Sequence, residues 1–321
     1  MDERFLEHAL QLAANADGRA HPKPTVGAVV VAGGEIVGEG ATEPGSSGRH
    51  GERVALAAAG EKARGATLYV TMEPCAHSGS TPPCTEAVLE AGVARVVAGQ
   101  RDPNPRVEGG GLEKLREAGV EAELVEGDLA FRCRQQLEFW RTWVTLGRPF
   151  VTYKVAVTLD GRVTVPGSRW VTGEVARRRV HELRAGSDAV AVGMGTVRWD
   201  NPRLDARDVP TPRGQPRRIA FGRGPLPEDS ELEVRSGPLD EELPALGAEG
   251  VQSLLLEGGP TLAAAFFERD LVDKLLVFVA PKLSGDGAGL VTGLPRALEL
   301  RRLEARRVGE DVLLSAYVHE P

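Results

Sequence analysis

Three potential zinc ligands, His50, Cys75 and Cys84, constrain the fold of this chain more than any other feature of its sequence. One imidazole and two thiolates match three corners of a tetrahedral zinc site, and catalytic sites keep the fourth corner open for water. Residues 52–63 and 85–91 are predicted helices, so His50 and Cys84 are expected just before helices. Unpaired backbone N–H groups at a helix N-terminus favour a thiolate. The fold must therefore bring the N-termini of these two helices and the segment around Cys75 close together.

A fourth residue, Glu52, indicates what chemistry this set of ligands serves. It lies two residues after His50, where its carboxylate can move protons without binding the metal. Zinc lowers the pKa of a bound water to about 7. Glu52 would take a proton from that water, pass it to a ring nitrogen, and in a second transfer protonate the leaving ammonia. His-x-Glu followed by Pro-Cys and a second Cys is typical of zinc enzymes that deaminate nitrogen heterocycles. The pattern predicts a catalytic, water-activating site.

The alternative interpretation is a structural zinc site, which would be closed by a fourth protein ligand. His77 is the candidate for that ligand, and it could equally contact a substrate. The presence of Glu52 and Pro74 at signature positions favours the open, catalytic site. Eight residues separate Cys75 from Cys84, where two are usual, and a loop of this length beside the metal is well placed to contact substrate.

Composition limits the class of partner. The chain has 321 residues, enough for two domains, and its net charge is −7 with only 5% aromatic residues. This balance disfavours a polynucleotide substrate, whereas a small phosphorylated substrate needs only a few local cations. No apolar run reaches the roughly 20 residues of a membrane span, and the charged N-terminus lacks a signal-peptide core. Three cysteines do not suggest a disulfide framework. We therefore expect a cytoplasmic protein without nucleic-acid or membrane partners.

The order of predicted elements divides the chain. Alternating helices and strands in the first half predict a three-layer α/β sandwich. The alternation breaks at residues 146–149, Leu-Gly-Arg-Pro, so we expect domains at residues 1–147 and 148–321. A strand at 150–157 begins the second domain. Residues 223–250 are rich in Pro, Gly and acidic residues and are predicted to form a loop.

The second half contains a glycine turn, Gly258-Gly259-Pro260, between a predicted strand and a predicted helix. Glycines let backbone N–H groups approach an anion, the helix N-terminus favours negative charge, and Pro260 suits the first helical position. The turn could therefore cradle the phosphates of a dinucleotide, or it could be an ordinary strand-to-helix connection. The spacing is not that of the Rossmann fingerprint, so that fold is not predicted.

Several motifs together resemble one enzyme family, the bifunctional riboflavin-biosynthesis deaminase–reductases. In the first half the similar segments are the long-gap zinc motif at residues 73–84 and Asp102-Pro103-Asn104-Pro105. In the second half they are Lys154 with Leu159-Asp160-Gly161, Ser168-Arg169-Trp170, Thr196 with Asp200-Asn201-Pro202, and the run from Glu257 to Leu262. The resemblance covers nearly the whole chain in the family's domain order.

The resemblance implies both a fold and a pair of reactions. The fold is α/β, with an N-terminal cytidine-deaminase-like three-layer α/β/α domain and a C-terminal dihydrofolate-reductase-like α/β domain. The first domain would use Zn²⁺ to deaminate 2,5-diamino-6-(5-phosphoribosylamino)pyrimidin-4(3H)-one. The second would use NADPH to reduce the ribosyl to the ribityl side chain, giving 5-amino-6-(5-phosphoribitylamino)uracil. A homo-oligomer, dimer or tetramer, is also implied.

The resemblance further assigns roles in the second domain. The expected cofactor contacts are Lys154, Trp170, Thr196, Asp200, Gly222, Gly259, Pro260, Thr261, Leu262, Ala263, Ala264 and Ala265. The expected substrate contacts are Ser168, Arg184, Leu204, Arg207 and Glu257.

The first domain departs from the family in its expected substrate contacts. Lys23 stands where the family usually has Asn, Thr42 where it has His, and Ser80 where it has a basic residue. One hypothesis is that Lys23 replaces the charge missing at Ser80. Two alternatives for the function also stay open: a protein with reductase activity only and an impaired deaminase domain, or a deaminase of nucleic-acid bases.

Overall fold

The computed structural model describes residues 2–16, 20–45, 48–77, 82–105, 110–294 and 296–321. The chain divides into two compact units, Met1–Leu146 with Pro321, and Gly147–Glu320. No helix in the described ranges has the length and apolar character needed to cross a lipid bilayer.

A five-stranded sheet forms the centre of the first unit. Its helices are Glu3–Ala16 (α1), Gly51–Ala59 (α2), Cys84–Glu90 (α3), Gly111–Glu117 (α4), Gly127–Gln136 (α5) and Glu138–Leu146 (α6). Its strands are Gly27–Ala32 (β1), Glu35–Ala41 (β2), Thr67–Val70 (β3), Arg95–Ala98 (β4) and Glu121–Leu124 (β5). The strand order is β2-β1-β3-β4-β5. Strand β1 is antiparallel to both neighbours, while β3, β4 and β5 run parallel.

Side chains alternate along β1 between two apolar layers. Ala28 and Val30 pack into a cluster with residues of α2, α3 and α4, whereas Val29 and Val31 pack with residues of α1 and α5. Because a strand presents successive residues to opposite faces, β1 is buried on both sides. Each large apolar side chain buried in this way contributes roughly 1.5–3 kcal/mol. The predicted three-layer sandwich is confirmed.

The second unit is built on an eight-stranded sheet. Its strands are Phe150–Thr158 (β6), Ala189–Gly193 (β7), Arg217–Phe221 (β8), Glu233–Arg235 (β9), Ser253–Leu256 (β10), Lys274–Ala280 (β11), Arg301–Val308 (β12) and Asp311–Tyr317 (β13). Its helices are Glu174–Ala185 (α7), Met194–Asp200 (α8), Leu239–Ala248 (α9) and Pro260–Glu268 (α10). The order β12-β13-β11-β6-β10-β7-β8-β9 is parallel from β11 to β9, and β13 and β12 add an antiparallel edge.

The register of the parallel strands places the end of β10 beside the middle of β6 and of β7. Leu256 at the end of β10 lies opposite Tyr153 of β6 and Ala191 of β7. The residues that follow Leu256 therefore lie beside Lys154 and the end of β7. Ligands of open parallel sheets bind at this edge.

A buried ion pair fixes the first strand of this unit. Arg148 donates from Nη1 to Oδ2 of Asp273 at 2.7 Å and from Nη2 to Oδ1 at 2.9 Å. The same carboxylate accepts the backbone N–H of Val151 at 2.8 Å. Both side chains are almost fully buried, so the pair connects the segment before β11 to the start of β6 inside the fold.

The prediction that residues 223–250 form a loop was wrong. The segment contains β9 and α9, and α9 places Leu239, Leu243 and Leu246 on one buried face. Proline at position 244 and three acidic residues in the first turn obscured this helical spacing in the sequence. Strand β12 was also missed, because its residues are nearly all exposed and show no apolar alternation.

Candidate active sites

The three predicted zinc ligands meet at one point in the first unit. His50 directly precedes α2, Cys84 begins α3, and Cys75 lies in the segment that follows β3. Nδ1 of His50 lies 3.2 Å from Sγ of Cys84 and 3.6 Å from Sγ of Cys75. Tetrahedral zinc with bonds of about 2.0–2.3 Å needs ligand atoms roughly 3.3–3.8 Å apart. All three ligand atoms lie within 4.8 Å of one another, so the set fits a zinc ion.

Glu52 supplies a second test of this fit. It lies in the first turn of α2 and is 3% exposed, and among the described residues none hydrogen-bonds its buried Oε2. Burial raises the pKa of Glu52 to about 7. A buried carboxylate oxygen without a partner is costly unless a ligand completes it. Oε2 is thus available to a water or substrate proton beside the predicted metal site.

Hydrogen bonding prepares one thiol to bind metal. The backbone N–H of Cys84 donates to Sγ of Cys75 at 3.2 Å, and contacts with Cys84 lower the pKa of the Cys75 thiol to about 4. Zinc binds the thiolate rather than the thiol. His77 is not part of the three-ligand set and lines the neighbouring cavity instead. In the described part of the chain, the geometry therefore favours the open site over closure by His77.

A cavity of about 190 Å³, called here the metal pocket, adjoins the three ligands. Its lining includes Lys23, Pro24, Val26, Thr42, Met72, Glu73, His77, Asp102, Asn104 and Trp140. Oγ1 of Thr42 accepts from the N–H of Val26 at 2.9 Å and lies 3.1 Å from the carbonyl of Pro24, to which it donates. These two hydrogen bonds fix the segment of Pro24 and Val26 in the wall of the metal pocket. Ser80 lies outside the described residues.

Glu73 shapes the metal pocket and was not singled out from the sequence. Its carboxylate is 2% exposed and accepts from the N–H groups of Leu112 at 3.0 Å and Asp102 at 3.2 Å. These contacts fix the Asp102 segment and the start of α4 against the wall. Burial raises the pKa of Asp102. The only sequence signal for Glu73 was its place directly before Pro-Cys.

A larger cavity of about 360 Å³, called here the sheet-edge pocket, lies in the second unit. Ten of the residues predicted to bind cofactor or substrate line it: Lys154, Trp170, Arg184, Thr196, Asp200, Leu204, Arg207, Glu257, Gly259 and Pro260. The others, Ser168, Gly222, Thr261, Leu262, Ala263, Ala264 and Ala265, do not line it. Ala263 and Ala264 are buried within α10, and Ser168 donates to the carbonyl of Trp170 at 2.9 Å.

A buried charge cluster lies in the wall of the sheet-edge pocket. Glu257 follows β10, and its Oε1 accepts from Nε of Arg184 at 2.6 Å while Oε2 accepts from Nζ of Lys154 at 3.4 Å. Burial by itself raises the pKa of Glu257, but the charges of Lys154 and Arg184 outweigh it and lower the pKa to about 2. The cluster contains one negative and two positive side chains. Its net charge is therefore positive, which favours an anionic ligand.

The glycine turn leaves space at the start of α10. Gly259 is the N-cap residue and Pro260 the first helical residue. A side chain at Gly258 would approach Leu262 to 2.8 Å, whereas one at Gly259 would find nothing closer than Thr196 Oγ1 at 3.9 Å. The backbone N–H groups there are accessible to an anion, as dinucleotide phosphates require. The residues present therefore fit a dinucleotide.

Two further groups of residues extend the sheet-edge pocket beyond what the sequence analysis identified. The guanidinium groups of Arg169 and Arg177 lie 5.0 and 5.2 Å from the ring of Trp170. Nδ1 of His181 lies 3.2 Å from the backbone N–H of Arg207. The shared i, i+4, i+7 spacing of residues 177, 181 and 184 on α7 was the signal that could have revealed this face.

The Glu257 cluster predicts that acid weakens the second unit. The pKa of Glu257 is lowered from 4.5 to about 2, so its carboxylate stabilises the fold above pH 4.5, and this contribution disappears as pH falls towards 2. The shift corresponds to about 3 kcal/mol. We expect the stability advantage of the wild type over Glu257→Gln, measured by urea unfolding, to shrink over that range. An advantage that is equal at both ends would contradict a charged Glu257 in the folded state.

Family models match both units of the chain. A model described as the cytidine and deoxycytidylate deaminase zinc-binding region matches residues 1–100, which include all three predicted metal ligands. A model described as the RibD C-terminal domain matches residues 149–314, which include the sheet-edge pocket.

Curated relatives align with nearly the whole chain. The riboflavin biosynthesis protein RibD of Aquifex aeolicus is 39% identical, and that of Escherichia coli K12 is 38% identical, with 98% of each chain covered in both cases. Among solved structures, Acinetobacter baumannii RibD gives a TM-score of 0.86 at 32% identity. A Thermotoga maritima diaminohydroxyphosphoribosylaminopyrimidine deaminase/5-amino-6-(5-phosphoribosylamino)uracil reductase gives 0.82 at 33% identity. Both structural matches cover 98% of each chain.

Proposed function

The chain belongs to the RibD family of riboflavin-biosynthesis proteins, and from that premise we propose that its two units act in turn on one phosphorylated pyrimidine. It is a bifunctional enzyme, a deaminase and a reductase, whose cofactors are Zn²⁺ and NADPH. The proposed substrate is 2,5-diamino-6-(5-phosphoribosylamino)pyrimidin-4(3H)-one, with residues 1–147 removing its amino group. Residues 148–321 would then reduce its ribosyl side chain to ribityl.

In the first unit, we assign His50, Cys75 and Cys84 as the ligands that hold zinc and Glu52 as the proton carrier. Bound zinc makes a water molecule acidic enough to lose a proton near neutral pH. Glu52 would accept that proton at Oε2, for which no described residue is a hydrogen-bond partner, and deliver it to the ring nitrogen. It would then take a second proton from the hydroxyl added to the ring carbon and pass it to the departing amino group. Burial raises its pKa to about 7, which suits a group that takes up and releases protons in alternation.

In the second unit, we assign two sets of contacts. The cofactor set is Lys154, Trp170, Thr196, Asp200, Gly222, Gly259, Pro260, Thr261, Leu262, Ala263, Ala264 and Ala265, and the substrate set is Ser168, Arg184, Leu204, Arg207 and Glu257. NADPH, when bound, supplies the hydride. The start of α10 receives its phosphates, and Arg184 with Arg207 offers charge to the substrate phosphate. Glu257 fixes the positions of Lys154 and Arg184 in the wall, so the protein contributes orientation and charge.

One observation carries this proposal. A His-Cys-Cys set beside a buried carboxylate, one oxygen of which has no hydrogen-bond partner among the described residues, occurs in the same chain as a cation-lined pocket at the start of a helix. A zinc-stabilised binding protein would have no use for this open oxygen of Glu52, and a nucleic-acid deaminase would have no use for the second pocket.

The decisive experiment is turnover of the diaminopyrimidine substrate by the purified enzyme, with and without NADPH, followed by mass spectrometry. Without NADPH we expect the mass change of replacing an amino group by oxygen, and with NADPH the further addition of two hydrogens. Chelation of zinc should abolish ammonia release and leave NADPH oxidation with the deaminated substrate intact. Reduction of the deaminated compound without any ammonia release would instead show a reductase with an impaired deaminase unit.

The proposal extends to assembly and location. We propose a homo-oligomer, dimer or tetramer, as the family resemblance implies. Sedimentation velocity tests it, and a monomer at micromolar concentration would reject it. We also propose a cytoplasmic location, where reducing conditions keep Cys75 and Cys84 free to bind metal.

A further inference from the structure

The charges that line the metal pocket are strongly unbalanced. Three carboxylates, Glu52, Glu73 and Asp102, contribute to its wall, together with the thiol of Cys75. Among the described lining residues, Lys23 alone carries a permanent positive charge, since histidines are cationic only when protonated. Apart from the zinc that the three ligands would hold, Lys23 is therefore the fixed positive charge that an anion meets in the described lining.

The loop beside the metal does not supply another strong cation. Residues 76–83, the insertion between the two cysteine ligands, contain neither Lys nor Arg. Arg53 lies next to this loop, where its Nη2 donates to the carbonyls of Pro82 and Pro83 at 3.2 and 2.9 Å, but it does not line the pocket. Arg101 pairs with Glu113 at 2.7 Å and lies 3.8 Å from the lining residue Glu73, and it does not line the pocket either. Among the described residues, Lys23 is therefore the one lysine or arginine of the pocket lining.

Lys23 is held in place by its own backbone and side chain. Prolines flank Lys23 at positions 22 and 24 and restrict the backbone conformation on both sides of it. The backbone N–H of Lys23 donates to the carbonyl of Ala20 at 2.9 Å. Nζ donates to the carbonyl of Gly48 at 2.9 Å, which directs the ammonium towards the segment that leads to His50. An ammonium group has three N–H donors, so two remain for a ligand.

We propose that Lys23 binds the phosphate of the deaminase substrate and makes the first unit selective for phosphorylated pyrimidines. This inference rests on the proposed function, because it requires a phosphorylated substrate in the metal pocket. The phosphate dianion needs a charge-assisted partner when it leaves water for an acidic pocket. The phosphoribosyl end of the substrate would then point towards Lys23, and the pyrimidine ring towards Glu52 and the metal ligands.

The test compares two substrates that differ only in the phosphate. Ammonia release is measured with the phosphorylated diaminopyrimidine and with its phosphate-free ribosylamino analogue, for wild type, Lys23→Met and Lys23→Arg. We expect Lys23→Met to lower kcat/KM for the phosphorylated compound by roughly 10- to 100-fold, mainly through KM. Its effect on the phosphate-free analogue should stay below about twofold, and Lys23→Arg should retain most of the selectivity. The matched control is Lys62→Met, an exposed lysine of the same unit that does not line the pocket.

The possible outcomes separate this inference from the function on which it rests. Equal losses on both substrates would show that Lys23 only supports the Gly48 segment, and the inference would be overturned. Unchanged selectivity in Lys23→Met would overturn it as well. Failure of the wild type to deaminate either compound, with zinc bound, would instead reject the proposed deaminase function.

Discussion

Replacing Glu52 by glutamine is expected to lower kcat for deamination by roughly 10²- to 10⁴-fold. The carboxamide has nearly the same shape, but it cannot accept the proton that Oε2 is placed to receive. The substitution should not disturb the metal, because Glu52 is not one of the three ligands. Ammonia release at saturating substrate measures the loss, and zinc content per chain measures retention of the ion.

Controls in the same protein sharpen this test. NADPH oxidation with the deaminated substrate should be unchanged in Glu52→Gln, because the sheet-edge pocket belongs to the other unit. Replacement of a ligand, Cys84→Ser, should remove both zinc and deamination. If Glu52→Gln kept wild-type kcat with zinc in place, Glu52 would not be the proton carrier.

The largest expected effect on stability follows from the pair between Arg148 and Asp273. The variant Asp273→Asn should destabilise the second unit by about 3–5 kcal/mol, because it leaves the Arg148 guanidinium buried without a counter-charge. It also weakens the acceptor for the N–H of Val151 at the start of β6. The loss is measured as a lower urea midpoint for NADPH-dependent reductase activity.

A surface aspartate provides the comparison. Asp240 lies 3.6 Å from Arg269, and both side chains are substantially exposed, so Asp240→Asn should cost at most about 1 kcal/mol. The double variant Arg148→Met/Asp273→Leu should recover much of the loss, since it removes both buried charges. A shift for Asp273→Asn no larger than for Asp240→Asn would show that the buried pair does not hold β6.

The sequence was most informative where chemistry is encoded locally. The spacing predicted His50, Cys75 and Cys84 as metal ligands and Glu52 as the proton carrier, because a tetrahedral zinc site of this kind tolerates few residue types, and the structure brings the three ligand atoms within 4.8 Å of one another. Glu73 and His181 were not identified, since their contacts run to backbone groups of distant segments that no local pattern reveals.

The helices and strands show the same contrast between features encoded locally and features that depend on distant contacts. The strand β1 was clear because both of its faces are apolar and buried. In α9 the proline and acidic residues outweighed the leucine spacing, and in β12 the pairing with β13 holds a strand whose residues have no buried face. Both elements depend on tertiary contacts, which override local propensity.

The cluster of Glu257, Lys154 and Arg184 has a consequence for how this enzyme can evolve. Buried charges are costly to keep, and apolar replacements of similar volume are often neutral or stabilising. Selection for stability alone would therefore tolerate apolar replacement of all three side chains together, whereas the proposed ligand contacts would keep them. These three side chains line the sheet-edge pocket and also link β6, the end of β10 and α7. A substitution among them that improves stability is therefore expected to impair turnover, and the reverse.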